Sequence, residues 1–192
     1  MSENAAYPLL PRLSAFLLLC MVTAVAQAGP VLDRIRSDGK ITIAHRESSV
    51  PFSYYDAEKK PVGYAIDLCL KVAEAVQRKI GGAKLAVSYV PVTSANRIAA
   101  IADGQADLEC GSTTNNAERR RKVAFTVPHY IAGARLLVRA GETLSELPQF
   151  QGRNVVSTAG STPLKKLEQL NQDRRWGLKI AHAPDHVRAV EM

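Results

Sequence analysis

The chain has 192 residues and carries 25 lysines and arginines against 18 aspartates and glutamates, which gives a net charge of +7. A basic protein suits anionic partners, among which small acids, nucleic acid and anionic lipid all qualify. The densest basic run, Arg119 to Lys122, follows Glu118 and has no interleaved aromatic residue. We therefore expect a solvated helix face there, and no nucleic-acid binding.

The chain opens with an export pattern. Arg12 precedes an apolar run from Leu13 to Val25, and Ala26-Gln27-Ala28 follows with small residues at its first and third positions. This pattern is typical of a secretory signal peptide over residues 1–28, cleaved after Ala28. An uncleaved membrane anchor is the alternative. No later apolar run is long enough to cross a bilayer, so we expect the mature chain to be soluble outside the cytoplasm.

Beyond the export pattern, strands and helices alternate along the chain. We predict strands at residues 40–45, 85–90, 107–110, 134–138, 154–157 and 179–183. We predict helices at residues 64–80, 93–104, 117–122 and 163–175, a further helix start at Asp185, and a loop at 46–55. The alternation predicts an α/β fold with parallel-rich sheets flanked by helices. Ligands of such sheets bind beyond the carboxyl ends of the strands.

Polar side chains follow five of these strands and form the predicted binding site. They are Arg46, Ser94, Arg97, Ser112, Thr114, Arg119, Thr162 and His186. Read singly, a Ser or Thr at such a place is an ordinary helix cap, and an arginine there is solvated. Local helix or strand formation does not require three arginines at strand ends, so together they predict a ligand with more than one negative group. The Gly111–Arg119 segment has no acid–base pair beside it, which favours holding an anion over transforming it.

Two cysteines, Cys69 and Cys110, follow residue 28. Export permits a disulfide between them. Cys69 lies on an apolar helical face and Cys110 at a strand end, however, so we expect two buried thiols. Neither cysteine has another Cys or a His at ligand spacing, and we expect no metal and no cofactor.

Three segments resemble the glutamate/aspartate-binding proteins of bacterial ABC importers, solute-binding protein family 3. They are His45–Tyr54, Ser94–Arg97 and Gly111–Arg119, and the resemblance runs from about Val31 to His186. It implies a two-lobed fold of the type II periplasmic-binding-protein class. It also implies a periplasmic monomer that binds L-glutamate or L-aspartate and delivers it to an ABC permease in the inner membrane.

The resemblance also implies how the chain divides. We expect a first lobe over residues 29–138 and a partial second lobe over 139–192, because chains of this family are longer. The expected return strand, and an acid that holds the ligand's amino group, have no counterpart before Met192. We therefore interpret the chain as C-terminally truncated. It should bind acidic amino acids weakly or not at all, whereas a version extended by the usual C-terminal half should bind them well.

The resemblance assigns roles to the site residues. Arg119, with Ser112 and Thr114, would bind the ligand's α-carboxylate. Arg46 and Arg97 would face its side-chain carboxylate.

Ser94 would lie near that side-chain carboxylate, and Thr162 and His186 would close over the ligand from the second lobe. Capture then follows hinge closure, in which ligand contacts on both lobes shift the balance from open to closed. Glutamate and aspartate both present two carboxylates, and the sequence does not separate them.

Two other functions remain open. An exported enzyme of the same fold, of the dehydratase or lytic transglycosylase type, would need a catalytic acid, for which Glu47 and Glu109 are candidates. A ligand-sensing module of a receptor would need a membrane segment after the binding domain.

Overall fold

The computed structural model describes residues 29–82 and 84–192. The predicted signal peptide over residues 1–28 lies outside these ranges. Within them, no helix combines the length and the apolar character that crossing a membrane requires.

Helices and strands alternate as the sequence predicts, with additional short elements. The helices are α1 (Pro30–Asp38), α2 (Tyr64–Lys79), α3 (Arg97–Ala102), α4 (Ala117–Arg120), α5 (Thr162–Arg174) and α6 (His186–Glu191), with a 3-10 turn at Leu147–Phe150. The strands are β1 (Lys40–His45), β2 (Ser48–Ser49), β3 (Ser53–Tyr55), β4 (Pro61–Val62), β5 (Ala86–Pro91), β6 (Leu108–Cys110), β7 (Asn154–Thr158) and β8 (Lys179–Ala183). Helix α1 and strand β4 were not predicted.

The first lobe is built on a three-stranded sheet in the order β5-β1-β6, with all pairs parallel. The central strand β1 is the most deeply buried, and its Ile43 is fully inaccessible to solvent. Helix α2 packs across this sheet through Ile66. Because the three strands run in the same direction, their carboxyl ends lie at one edge of the sheet.

Residues 46–55 were predicted as a loop, and this prediction is wrong. They contain β2 and β3, which pair antiparallel and continue to β4. The Ser53 Oγ accepts a hydrogen bond of 2.9 Å from the backbone N–H of Arg46, which ties β3 to the end of β1. A Cβ atom on Gly63 would lie 2.7 Å from the carbonyl carbon of Phe52, so only glycine lets α2 begin this close to β3.

The second lobe has a two-stranded parallel sheet of β7 and β8, with α5 and α6 against it. Its core is a cluster of Phe150, Leu167 and Leu178. Leu136 and Val138 also pack against this cluster, although both precede the predicted lobe boundary at residue 139. The boundary itself stays a prediction.

The strand predicted at residues 134–138 is wrong. This segment has no strand hydrogen bonding in the described part of the chain, and its Leu137 is 83% exposed. An apolar run forms a strand only where a neighbouring backbone pairs with it, and the sequence pattern alone does not supply that neighbour.

The expectation of two buried thiols is also wrong. Cys69 and Cys110 form a disulfide with an S–S distance of 2.04 Å, and their Cα atoms lie 6.3 Å apart. The reason is the packing of α2 on the sheet, which places the apolar helical face carrying Cys69 over the last residue of β6. The disulfide therefore anchors the strand end that leads into the Gly111–Arg119 segment.

Candidate functional site

The ends of the first-lobe strands place polar residues at one edge of the sheet. Arg46 follows β1 directly, Ser94 and Arg97 follow β5, and Ser112 follows β6. A cavity of about 320 Å³ lies between this edge and the second lobe, at the lower end of the size range of small-molecule pockets. Six of the eight predicted site residues line it, namely Ser94, Arg97, Ser112, Thr114, Thr162 and His186.

Arg46 lies directly behind the cavity wall. Its side chain is 1% exposed, and its Nη1 donates a hydrogen bond of 2.7 Å to the Oγ of Ser94, which does line the cavity. Burial lowers the pKa of Arg46, whereas the carboxylates of Glu109 and Asp185 raise it. The hydrogen bond from Arg46 therefore holds the Ser94 hydroxyl in place.

Arg97 is the residue whose hydrogen bonding is most incomplete. It is 3% exposed, and its Nε and Nη1 have no hydrogen-bond partner among the residues that the structure describes. The Oε1 of Glu109 lies 3.9 Å from Nη1, too far for a hydrogen bond. Burial lowers the pKa of Arg97 to about 10, against the raising effect of Glu109, so the guanidinium is charged at neutral pH. A buried cation with free N–H donors at a cavity is suited to an anion.

Arg119 was predicted to bind the ligand with Arg46 and Arg97, but it does not line the cavity that Arg97 lines. It lines a neighbouring cavity of about 480 Å³. Its Nη1 donates to the carbonyl oxygen of Thr114 at 3.0 Å, and its Nη2 donates to the carbonyl oxygen of Gly160 at 3.3 Å. Arg119 thus connects the first lobe to the loop that precedes α5.

The second lobe contributes His186 and Thr162. The Nδ1 of His186 shares a hydrogen bond of 2.8 Å with the Oγ1 of Thr158. Burial and the positive charges of Arg46 and Arg97 lower the pKa of His186, which keeps its imidazole neutral near pH 7. The Thr162 Oγ1 is buried and has no hydrogen-bond partner within the described ranges.

Helix α5 begins at the cavity. Its N-cap is Ser161, whose Oγ accepts a hydrogen bond of 3.2 Å from the backbone N–H of Leu164. The N–H of Ser161 donates to the Thr158 carbonyl oxygen and Pro163 has no N–H, so the N–H of Thr162 is the donor left in this first turn. Together with the partial positive charge at the N-terminus of a 13-residue helix, it favours an anion.

Glu109 was predicted as the end of a strand or as a candidate catalytic acid, and not as part of the binding site. It lies near Arg46, Arg97 and Arg119, and its negative charge raises the pKa of each of these arginines. The sequence did contain a signal for this position. Glu109 stands two residues before the Gly-Ser-Thr loop, and a site with three arginines needs a negative charge to balance them. In residues 29–82 and 84–192 no group of His, Cys, Asp and Glu has the arrangement of a metal site.

Several known proteins are similar to this chain in sequence. The glutamate/aspartate import solute-binding protein of Salmonella typhimurium is 44% identical over 83% of this chain and 53% of that protein. The L-glutamate/L-aspartate-binding protein of Pseudomonas aeruginosa is 40% identical over 94% of this chain and 63% of that protein. The chain therefore spans between half and two thirds of the length of these relatives.

More distant proteins share the fold. A crystal structure of a mutant of ArgBP from T. maritima superposes with a TM-score of 0.72 at 21% identity, over 83% of this chain and 66% of that chain. This similarity confirms the predicted two-lobed α/β fold. The cyclohexadienyl dehydratase of Pseudomonas aeruginosa is 29% identical over 93% of this chain and 64% of that enzyme.

The family model of the bacterial extracellular solute-binding proteins, family 3, matches residues 41–183. This range includes both lobes and all but one of the predicted site residues, His186. The chain belongs to the bacterial extracellular solute-binding proteins of family 3.

Proposed function

We propose that this chain is the solute-binding component of a bacterial ABC importer and that it binds L-glutamate or L-aspartate between its lobes. The observation that carries the proposal is the buried guanidinium of Arg97, a residue that lines the cavity and whose Nε and Nη1 have no partner in the described part of the chain. Relatives named for glutamate and aspartate import, 40% to 44% identical to the chain, support the same substrate class.

The polar groups suit a ligand with two carboxylates. Arg97 and the Ser94 hydroxyl, held by Arg46, offer donors on one side of the cavity. Ser112 and Thr114 offer donors on the other strand end, and the N-terminus of α5 faces them from the second lobe. Each buried carboxylate needs several charge-assisted hydrogen bonds to offset its desolvation, so two groups of donors match two carboxylates.

The same arrangement discriminates against neutral amino acids. A ligand with an amide in place of the side-chain carboxylate would leave the Arg97 guanidinium without a charged hydrogen-bond acceptor in a closed cleft. Leaving a buried charged group unpaired costs about 2 kcal/mol or more, which corresponds to at least about 30-fold in affinity. Selectivity for acidic amino acids thus follows from the burial of one guanidinium.

Hinge closure is the mechanism that we propose for capture. Residues of both lobes line one cavity, with Arg97 on the first lobe and His186 and Thr162 on the second. A ligand that contacts both lobes binds the closed form better than the open form and shifts the balance toward closure. The closed monomer in the periplasm would then deliver its ligand to the permease.

Binding is favoured over catalysis by the positions of the candidate acids. Glu47 is exposed and does not line the cavity, and the Oε1 of Glu109 is buried beneath it. Neither glutamate is among the residues that line the cavity in which the ligand would bind.

Isothermal titration calorimetry of residues 29–192 tests the proposal. We expect weak binding of L-glutamate and L-aspartate, in line with the sequence prediction for this chain, and binding of L-glutamine that is at least about 30-fold weaker still. A thermal-unfolding series with the same three ligands at millimolar concentration detects binding that is too weak for calorimetry. Equal binding of L-glutamine, or no binding of the acidic ligands by either method, would contradict the proposal.

A further inference from the structure

The side chains of Glu109 and Arg46 both pack against Gly111, the residue that directly follows β6. A Cβ atom on Gly111 would lie 2.6 Å from the Oε1 of Glu109 and 2.9 Å from the Cγ of Arg46. Glycine at this position therefore lets an acidic and a basic side chain pack against the same stretch of backbone. This packing holds the Glu109 carboxylate beneath the cavity rather than in it.

The Glu109 carboxylate faces three guanidiniums. Its Oε1 lies 3.9 Å from the Nη1 of Arg97, and its charge raises the pKa of Arg46, Arg97 and Arg119 against the lowering effect of their burial. The side chains of Arg97 and Glu109 are 3% and 11% exposed, so solvent screens their attraction only weakly. One negative charge therefore compensates part of three positive charges.

The attraction between Glu109 and Arg97 acts over 3.9 Å and involves no hydrogen bond between them. The Oε1 of Glu109, like the Nε and Nη1 of Arg97, has no hydrogen-bond partner in the described part of the chain. The carboxylate thus stabilises the cations through their charge and leaves the Arg97 donors free. A carboxylate in direct bidentate contact would instead compete with the ligand for the same N–H groups.

We propose that Glu109 is a charge-balancing positioning residue of the anion site. Its carboxylate holds the three guanidiniums together in the ligand-free protein and sets the residual charge that a dicarboxylate ligand meets. The second half of this proposal rests on the proposed function, whereas the first half does not. The proposed role differs from a catalytic role, since it needs no proton exchange with a ligand, and from a purely structural role, since its effect depends on charge.

The variant Glu109→Gln removes the charge and keeps the size of the side chain. Its matched control is Glu74→Gln, which removes a charge from the exposed face of α2. We expect Glu109→Gln to melt at least about 5 °C below the wild type at low ionic strength, because the guanidiniums then repel one another without compensation. Added sodium chloride should recover at least about half of this loss by screening that repulsion, whereas Glu74→Gln should follow the wild type.

The outcomes of this experiment decide the first half of the proposal. A Glu109→Gln protein as stable as the wild type, or one whose loss does not respond to salt, overturns it. Should Glu109→Gln fail to fold at low ionic strength, folding at high ionic strength supports the proposal and failure at both overturns it.

A second measurement compares L-glutamate and L-glutamine binding in the wild type and in Glu109→Gln. Removing a negative charge beside the site strengthens its attraction for each additional carboxylate on the ligand. The ratio of the two affinities should therefore rise at least about fivefold in Glu109→Gln. A ratio that is unchanged or lower overturns the selectivity half of the proposal. If neither protein binds either ligand, the proposed function fails, and the salt-dependent melting still decides whether Glu109 balances the charge.

Discussion

The backbone of Gly160 lies so close to Ala95 that a Cβ atom on Gly160 would fall 2.5 Å from the Ala95 Cα. Gly160 precedes α5 in the second lobe, and Ala95 lies between β5 and α3 in the first. Beside this contact, Arg119 donates to the Gly160 carbonyl oxygen, and Lys165 forms an ion pair with Glu118. The two lobes therefore meet at the edge of the candidate site, where the absence of a side chain at residue 160 permits close approach.

Replacing Gly160 by alanine should weaken ligand binding. The added methyl group meets backbone rather than a flexible side chain, so the lobes must separate to accommodate it. Because the ligand binds the closed form, we expect Gly160→Ala to bind L-glutamate at least about tenfold more weakly in calorimetry.

Gly177→Ala is the matched control for this variant. Gly160 and Gly177 have similar positive φ angles, 70° and 63°, and both lie in the second lobe, but a Cβ atom on Gly177 meets nothing within 4 Å. Both variants should lose about 1 kcal/mol of unfolding free energy, measured with urea, because alanine adopts this conformation unfavourably. Equal affinities of the two variants would show that the contact with Ala95 does not control closure.

Removing the Arg97 charge should affect binding far more than stability. In Arg97→Met the buried, incompletely paired cation is replaced by an apolar side chain of similar length, which relieves its desolvation. We expect an unfolding free energy within about 1 kcal/mol of the wild type, or above it, together with a loss of L-glutamate affinity of at least about 30-fold. The control Arg36→Met removes an exposed arginine paired with Asp33 and should change neither quantity. If Arg97→Met bound L-glutamate as tightly as the wild type, Arg97 would not be part of the binding site.

The disulfide should contribute substantially to stability. It links residues 41 positions apart, and a cross-link of this loop length stabilises a protein by about 3 to 4 kcal/mol in the chain-entropy description. We expect the double variant Cys69→Ala, Cys110→Ala to lose stability of this order in urea unfolding. A reducing agent should destabilise the wild type similarly and leave the double variant unchanged. A wild type insensitive to complete reduction would contradict this expectation.

Acid should destabilise the protein partly through His186. Burial and the charges of Arg46 and Arg97 hold its folded-state pKa below the ordinary value of 6.5. As the pH falls through that value, the unfolded chain binds a proton at this histidine before the folded chain does, so the unfolding free energy falls. We expect the decrease between about pH 7.5 and about pH 5.5 to be smaller in His186→Gln than in the wild type, by at most about 1 kcal/mol. An identical pH dependence of urea unfolding in the two proteins would show that His186 is not responsible.

Strongly patterned segments of the fold were predicted well from the sequence. Strand β1 has the predicted bounds, and α2 ends one residue before the prediction, because both carry apolar residues at the spacing of their structure. Features that depend on a partner distant in sequence were not predicted. The disulfide required the packing of α2 on β6, and residues 134–138 lack the backbone neighbour that would make their apolar run a strand.

The candidate site, like the fold, was predicted from the sequence only in part. The rule that polar residues meet at the carboxyl ends of parallel strands was sufficient to bring Ser94, Arg97 and Ser112 to one cavity. The sequence did not show that Arg46 lies behind Ser94, or that Arg119 reaches the second lobe. These relations depend on the direction of side chains and on the contact between the lobes, which no local pattern encodes.

A crystal structure of the chain with L-glutamate tests the central claim most directly. We expect a ligand carboxylate in the cavity between the lobes, hydrogen-bonded to the guanidinium of Arg97, which lines that cavity. A bound glutamate that makes no hydrogen bond with the Arg97 guanidinium, or that occupies another part of the surface, would contradict this expectation.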